Sequence, residues 1–204
     1  MKKKGFTLVE LLVVVAVAGV IMTILAQIFF SSLRGNNKAQ VIAMIKQNGQ
    51  SVLDNLDKNI RNADHIVCVS STGRTLVIVK DGVYTRYGFI YGAATTDPPS
   101  NGDIWRDNPI PDGTETEQNP NNFINRVCGF DPISINAEAP GASHILDTSA
   151  AGVFVFSGTF SRDQVAGFKE VVKINFSLQP SIESAKKILG SIDPVPFNTS
   201  VGLR

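Results

Sequence analysis

The chain has 204 residues, with 19 basic and 18 acidic side chains and a formal net charge of +1. That length allows one ordinary domain plus an appendage, and the charge balance lacks the basic excess of a nucleic-acid-binding protein, so no nucleic-acid partner is expected. Two cysteines, Cys68 and Cys128, form no C-x-x-C, which leaves a redox or zinc centre without its usual spacing.

The charges are unevenly spread. Residues 1–63 carry eight Lys or Arg against Glu10, Asp54 and Asp57, a net of +5, so residues 64–204 carry about −4. None of the ten prolines precedes Pro98, and a proline-free stretch can hold a long unbroken helix.

Met1-Lys2-Lys3-Lys4-Gly5 leads into an apolar run over residues 6–30, interrupted only by Thr7, Glu10, Thr23 and Gln27. A helix of that length spans roughly 37 Å, enough for a hydrocarbon core of about 30 Å. Three lysines ahead of the run hold its start in the cytoplasm and place the rest of the chain outside the membrane. An ordinary signal peptide would use Ala16-Val17-Ala18 for cleavage, but the apolar sequence continues past it to Phe30. A plain single-pass anchor accounts for length and charge and leaves Glu10 unexplained, because a carboxylate in the bilayer is costly and seldom kept without a partner.

The run Lys2-Lys3-Lys4-Gly5-Phe6-Thr7-Leu8-Val9-Glu10-Leu11-Leu12 resembles the prepilin signal of type IV pilins and type II secretion pseudopilins. The resemblance implies cleavage between Gly5 and Phe6 by a prepilin peptidase, N-methylation of Phe6, and an assembly role for Glu10. It also implies a structural subunit, with other pilin or pseudopilin subunits and an inner-membrane assembly platform as partners. The expected location is the inner membrane, single-pass with the C-terminal domain outside, and then the fibre. Cleavage would remove three lysines and create an ammonium on Phe6, which Glu10 of a neighbouring subunit could pair with, relieving two buried charges.

Beyond Phe30 the pattern turns amphipathic. Val41, Ile45, Val52, Leu56, Ile60 and Ala63 recur at helical spacing, with Lys38, Lys46, Asp54, Lys58 and Arg61 on other faces. This predicts a helical extension over residues 31–63, with Gly35-Asn36-Asn37 as a candidate break or bend. Residues 50–63 resemble the helix end of J-type pseudopilins and W-type minor pilins, and residues 199–204 weakly resemble the ending of the same group.

Residues 64–204 are expected to form an extracytoplasmic sheet domain. Runs at 66–70, 75–79, 83–90, 152–157, 170–178 and 195–203 read as strands, and Asp81-Gly82 reads as a two-residue hairpin turn. Helix first and antiparallel strands after give an α+β fold, a long N-terminal helix on an antiparallel sheet. Residues 93–122 hold five prolines, five asparagines and four aspartates and read as a long irregular loop. Asp103, Asp107 and Asp112 there lack EF-hand spacing, so no metal is expected. Trp105 either anchors a partner or tacks the loop onto its own domain. Cys68 and Cys128 could bridge in an oxidising compartment or remain two buried thiols.

His65 and His144 are the only histidines, and neither lies in a catalytic or metal motif. No G-x-S-x-G, H-E-x-x-H or P-loop is present. Asn175-Phe176-Ser177 and Asn198-Thr199-Ser200 match the glycosylation pattern, which carries little meaning in a prokaryotic precursor. The expectation is a processed subunit with no catalysis and no cofactor. The rivals are a fibre-delivered adhesin using the 93–122 loop and an anchored protein unrelated to pili.

Overall fold

The computed structural model describes residues 7–91, 102–110, 124, 126–129, 142–146, 152–164, 167, 169–181, 184 and 192–204. A single helix, α1 (Leu8–Arg61), covers 54 residues, and Gly35-Asn36-Asn37 stay helical within it. The chain divides into two compact units, residues 1–40 and 41–204. In the first, the large apolar side chains from Leu8 to Leu33 are exposed. Their length and composition suffice to cross a membrane.

In the second unit, α1 buries Ile45, Gly49, Val52, Leu56 and Ile60. Those steps of three and four residues put all five on one stripe. Eight strands follow among the described residues: β1 (His65–Val69), β2 (Thr75–Lys80), β3 (Val83–Ile90), β4 (Asp103–Asp107), β5 (Ser143–His144), β6 (Val153–Asp163), β7 (Val171–Pro180) and β8 (Val195–Gly202). They form a five-stranded sheet in the order β1-β2-β3-β4-β5 and a three-stranded sheet in the order β6-β7-β8, every pairing antiparallel. The fold is therefore α+β, with two sheets where one was expected. Asp81 and Gly82 both take positive φ, 50° and 77°, which is what a two-residue turn needs to match the twist of β2 and β3.

The helix stripe and one face of each sheet share one core, which includes Leu76, Ile78, Phe89, Ile174, Phe176 and Leu178. Phe89 of the first sheet stacks on Phe160 of the second, ring centres 4.5 Å apart. Phe176 stacks on Phe197 at 5.1 Å, and Phe197 in turn lies on the helix at Gly49. A Cβ at Gly49 would fall 2.1 Å from Phe197 Cζ. The glycine that weakens the helix by about 1 kcal/mol relative to alanine is the point where a ring meets the helix backbone. Gly49→Ala is expected to lower stability by about 1–3 kcal/mol through overpacking. In a Phe197→Ala background the same change should be neutral or stabilising. Denaturant unfolding of the four variants checks this, and an equal loss in both backgrounds would rule out the clash.

One expectation needs correction. Residues Asp103–Asp107 lie within the 93–122 segment read as irregular loop, yet they form β4, an interior strand between β3 and β5. Trp105 is 2 % exposed and stands opposite Gly88 in the β3–β4 register. A Cβ at Gly88 would lie 2.6 Å from the indole, so the missing side chain makes room for the ring. Local composition, rich in proline and aspartate, gave the strand no signal, because its stability comes from pairing with β3, from Ile90↔Asp103 to Arg86↔Asp107.

Candidate functional site

At the N-terminal turn of α1, Thr7 and Glu10 form a local polar constellation. Gly5 and Phe6, the expected processing residues, lie outside the described residues, and the description begins at Thr7. The Thr7 backbone amide donates to Glu10 Oε2 at 3.1 Å, and the Thr7 hydroxyl donates to the same oxygen at 3.0 Å. The Glu10 amide donates back to Thr7 Oγ1 at 3.3 Å. This is a capping box: Thr7 is the N-cap, Glu10 is three residues on, and two amides that a helix start leaves unpaired are satisfied reciprocally. The reading of Glu10 as a residue needing an external partner missed this arrangement, although Thr-x-x-Glu ahead of an apolar run is its sequence signature.

The box alters what Glu10 can do. One carboxylate oxygen takes both donors from Thr7, and the carboxylate is held at the first turn of the helix, where the backbone dipole favours negative charge. Among the described residues the second oxygen takes no donor. A carboxylate oriented in this way loses less side-chain freedom when a cation approaches than a freely rotating glutamate would.

Elsewhere, Cys68 on β1 and Cys128 in the short helical turn at residues 126–128 are joined by a disulfide, with Cα atoms 6.2 Å apart and a sequence separation of 60. The bridge sits on the face of the first sheet turned away from α1. There Val77 and Val127 are buried together, with Val67, Tyr84 and the two cysteines packed around them.

The same face holds a buried ion pair. Arg86 Nε donates to Asp107 Oδ1 at 2.9 Å, and Arg86 Nη2 bonds Asp107 Oδ2. Asp107 is fully buried and Arg86 is 8 % exposed. The guanidinium carbon lies 5.1 Å from the Trp105 ring centre, so the cation is held by a bidentate carboxylate and an aromatic face together. Asp103 is engaged as well, accepting the Ile104 amide at 2.6 Å and pairing with His144 Nδ1. Asp103 and Asp107 thus have protein partners, and Asp112 lies outside the described residues. Among the described residues no group of three His, Cys, Asp or Glu could hold a metal ion. Trp105 tacks its segment onto its own domain, and the rest of residues 93–122 beyond 102–110 lies outside the description. Asn175 and Asn198, the two glycosylation-pattern asparagines, are cross-strand partners on the exposed face of the second sheet.

Comparison with known families finds the prokaryotic N-terminal methylation motif over residues 1–26. That match supports a type IV pilin-like chain, processed at its N-terminus and assembled with other subunits through an apolar helix. Neither a curated protein nor a solved structure matches the chain.

Proposed function

We propose that this chain is a structural subunit, a minor pilin or a J-type pseudopilin, of a type IV pilus or type II secretion pseudopilus. Prepilin peptidase cuts between Gly5 and Phe6, Phe6 is N-methylated, and residues 6–30 then serve first as membrane anchor and afterwards as assembly helix. The observation that carries this reading is the methylation motif over residues 1–26, joined to the first part of α1, whose large apolar side chains from Leu8 to Leu33 are exposed among the described residues. An apolar surface of that extent needs lipid or other helices around it. Charge adds a reason for the order of events. Before cleavage the lysines tie the N-terminus to the cytoplasmic face, and after cleavage an ammonium becomes available to the second oxygen of Glu10 on a neighbouring subunit.

Intact-mass and N-terminal peptide analysis of the membrane-extracted protein tests the proposal. The expected species starts at Phe6, is heavier than the bare chain by one CH2 because a methyl replaces an amine hydrogen, and is two hydrogens lighter for a Cys68–Cys128 bridge. Replacing Gly5 by a bulky residue should leave the precursor uncut in the membrane. A mature start at Gly19 would assign the segment to an ordinary signal peptide, and an uncut Met1 in assembled fibres would overturn the processing step. The bridge closes a loop that stabilises the domain by about 4 kcal/mol in the chain-entropy account, and it is made in the compartment where such bonds persist.

A further inference from the structure

The end of the apolar run away from the basic leader carries a polar face. Gln27, Ser31, Arg34 and Lys38 follow one another at steps of four, three and four residues within α1, so they share one side of the helix. All four are exposed. Thr23 lies on the same side one turn earlier and spends its hydroxyl on Val20 O at 2.7 Å. A shallow groove of about 260 Å³ runs along this face, lined by Gln27, Phe30, Ser31 and Arg34. One wall is an aromatic ring, and the other three side chains carry hydrogen-bond donors.

Arg34 and Lys38 are like charges one turn apart, which lowers the stability of a helix. No acid offsets them locally, because residues 11–53 contain Arg34, Lys38 and Lys46 and neither Asp nor Glu. Neither cation makes an ion pair among the described residues. Height along the helix adds a second constraint. Arg34 follows Phe30 by four residues, about 6 Å along the axis. The headgroup zone on each side of a bilayer is about 5–7 Å deep, so a span ending at Phe30 holds Arg34 at headgroup level. Gln27 lies about 10 Å deeper than Arg34, where a carboxamide without a partner is costly.

We infer that this face binds an anionic phospholipid of the leaflet away from the leader, its phosphate on Arg34 and Lys38 and its glycerol esters toward Ser31 and Gln27. This rests on the reading of residues 6–30 as a membrane span. The order of groups along the helix matches their order in such a lipid: phosphate in the headgroup zone, ester carbonyls below it, acyl chains beside Phe30 and the apolar run. Guanidinium, ammonium, hydroxyl and carboxamide all donate to those oxygens. A zwitterionic lipid offers the same oxygens but brings its own cation to a face that already has two. An acidic peptide fits less well, since its carboxylate stays on the water side and leaves Gln27 without a partner. A second copy at the same depth brings the same two cations and no carboxylate. Held in this way, the lipid fixes the depth of α1 in the membrane.

Native mass spectrometry of retained lipid tests the inference. The mature full chain is held in neutral detergent with equal amounts of dioleoylphosphatidylglycerol and dioleoylphosphatidylcholine. Wild type should retain the anionic lipid about 25-fold over the zwitterionic one, about fivefold for each of two cations at a lipid surface. Arg34→Gln should lose about fivefold of that preference, and Arg34→Gln with Lys38→Gln nearly all of it. Gln27→Leu keeps every charge and should still weaken retention of the anionic lipid about threefold, the scale of one hydrogen bond. Equal retention of the two lipids by wild type overturns the inference, and so does a double variant that keeps the preference. An unchanged Gln27→Leu reduces the face to two point charges and overturns the site. Soluble glycerophosphoglycerol at equal concentration should not displace the lipid, and displacement would assign the cations to a free phosphodiester and overturn the choice of ligand. If wild type shows no lipid preference and the double variant enters fibres less at equal membrane level, the partner is a neighbour's carboxylate and the lipid is overturned. The membrane reading fails differently. A chain absent from the membrane fraction, or one starting at Gly19, sinks the span itself, whereas an inserted chain starting at Phe6 without lipid preference sinks this inference alone.

Discussion

Glu10→Val is expected to leave membrane insertion and leader removal intact and to cut entry into the fibre by about tenfold or more, the scale of losing even part of a buried charge pair. Insertion survives because an expensive polar group has left the apolar run, and processing survives because Gly5 and Phe6 are unchanged. Assembly falls because the incoming subunit no longer offers a carboxylate to the Phe6 ammonium of its neighbour. The capping box sharpens the test. Glu10→Gln can still accept the Thr7 amide and hydroxyl, since glutamine serves at that position of a capping box, but it has no charge to pair. Gln and Val should therefore fail alike if pairing sets the subunit's register. If Gln assembles and Val does not, the role of Glu10 is to start the helix. If Val enters fibres as well as wild type at equal membrane levels, the pairing account is wrong. Quantitative immunoblots of sheared fibres against the membrane fraction give the comparison.

Asp107→Ala is expected to destabilise the second unit by about 3–5 kcal/mol, the cost of leaving a buried charge without its partner. The stability of a domain this size is about 5–15 kcal/mol, so the variant should unfold at much lower denaturant and be scarce in cells. The guanidinium of Arg86 is nearly enclosed and would lose its bidentate carboxylate while keeping the Trp105 face. The physical cause can be separated from simple loss of packing. Arg86→Met together with Asp107→Leu removes both charges and keeps apolar bulk, and such replacements are often neutral or stabilising. The double variant should recover most of what Asp107→Ala loses. Denaturant midpoints measure both, and a cost under about 1 kcal/mol for Asp107→Ala would mean that water reaches the pair.

Parts of this protein whose partners are close in sequence were legible from the sequence alone. The stripe of Ile45, Val52, Leu56 and Ile60 repeats at the helical period, and Asp81-Gly82 carries its own turn geometry, so α1 and the β2–β3 hairpin followed from local pattern. The apolar run and its basic leader follow from composition in the same way. The Thr7–Glu10 box is equally local, three residues apart, and was within reach of the same reasoning. Tertiary structure decided the rest. β4 looked like loop because Asp103, Trp105 and Asp107 are ordinary loop residues until Arg86 and Gly88 stand opposite them. Gly49 looked like a weak point until Phe197, arriving from the last strand, filled the space above it. The place of β8 at the end of its sheet among the described residues depends on strand order, with β7 on one side. Each of these is set by residues far apart along the chain, and a periodicity or a turn signal records only what neighbours a few residues away impose on one another.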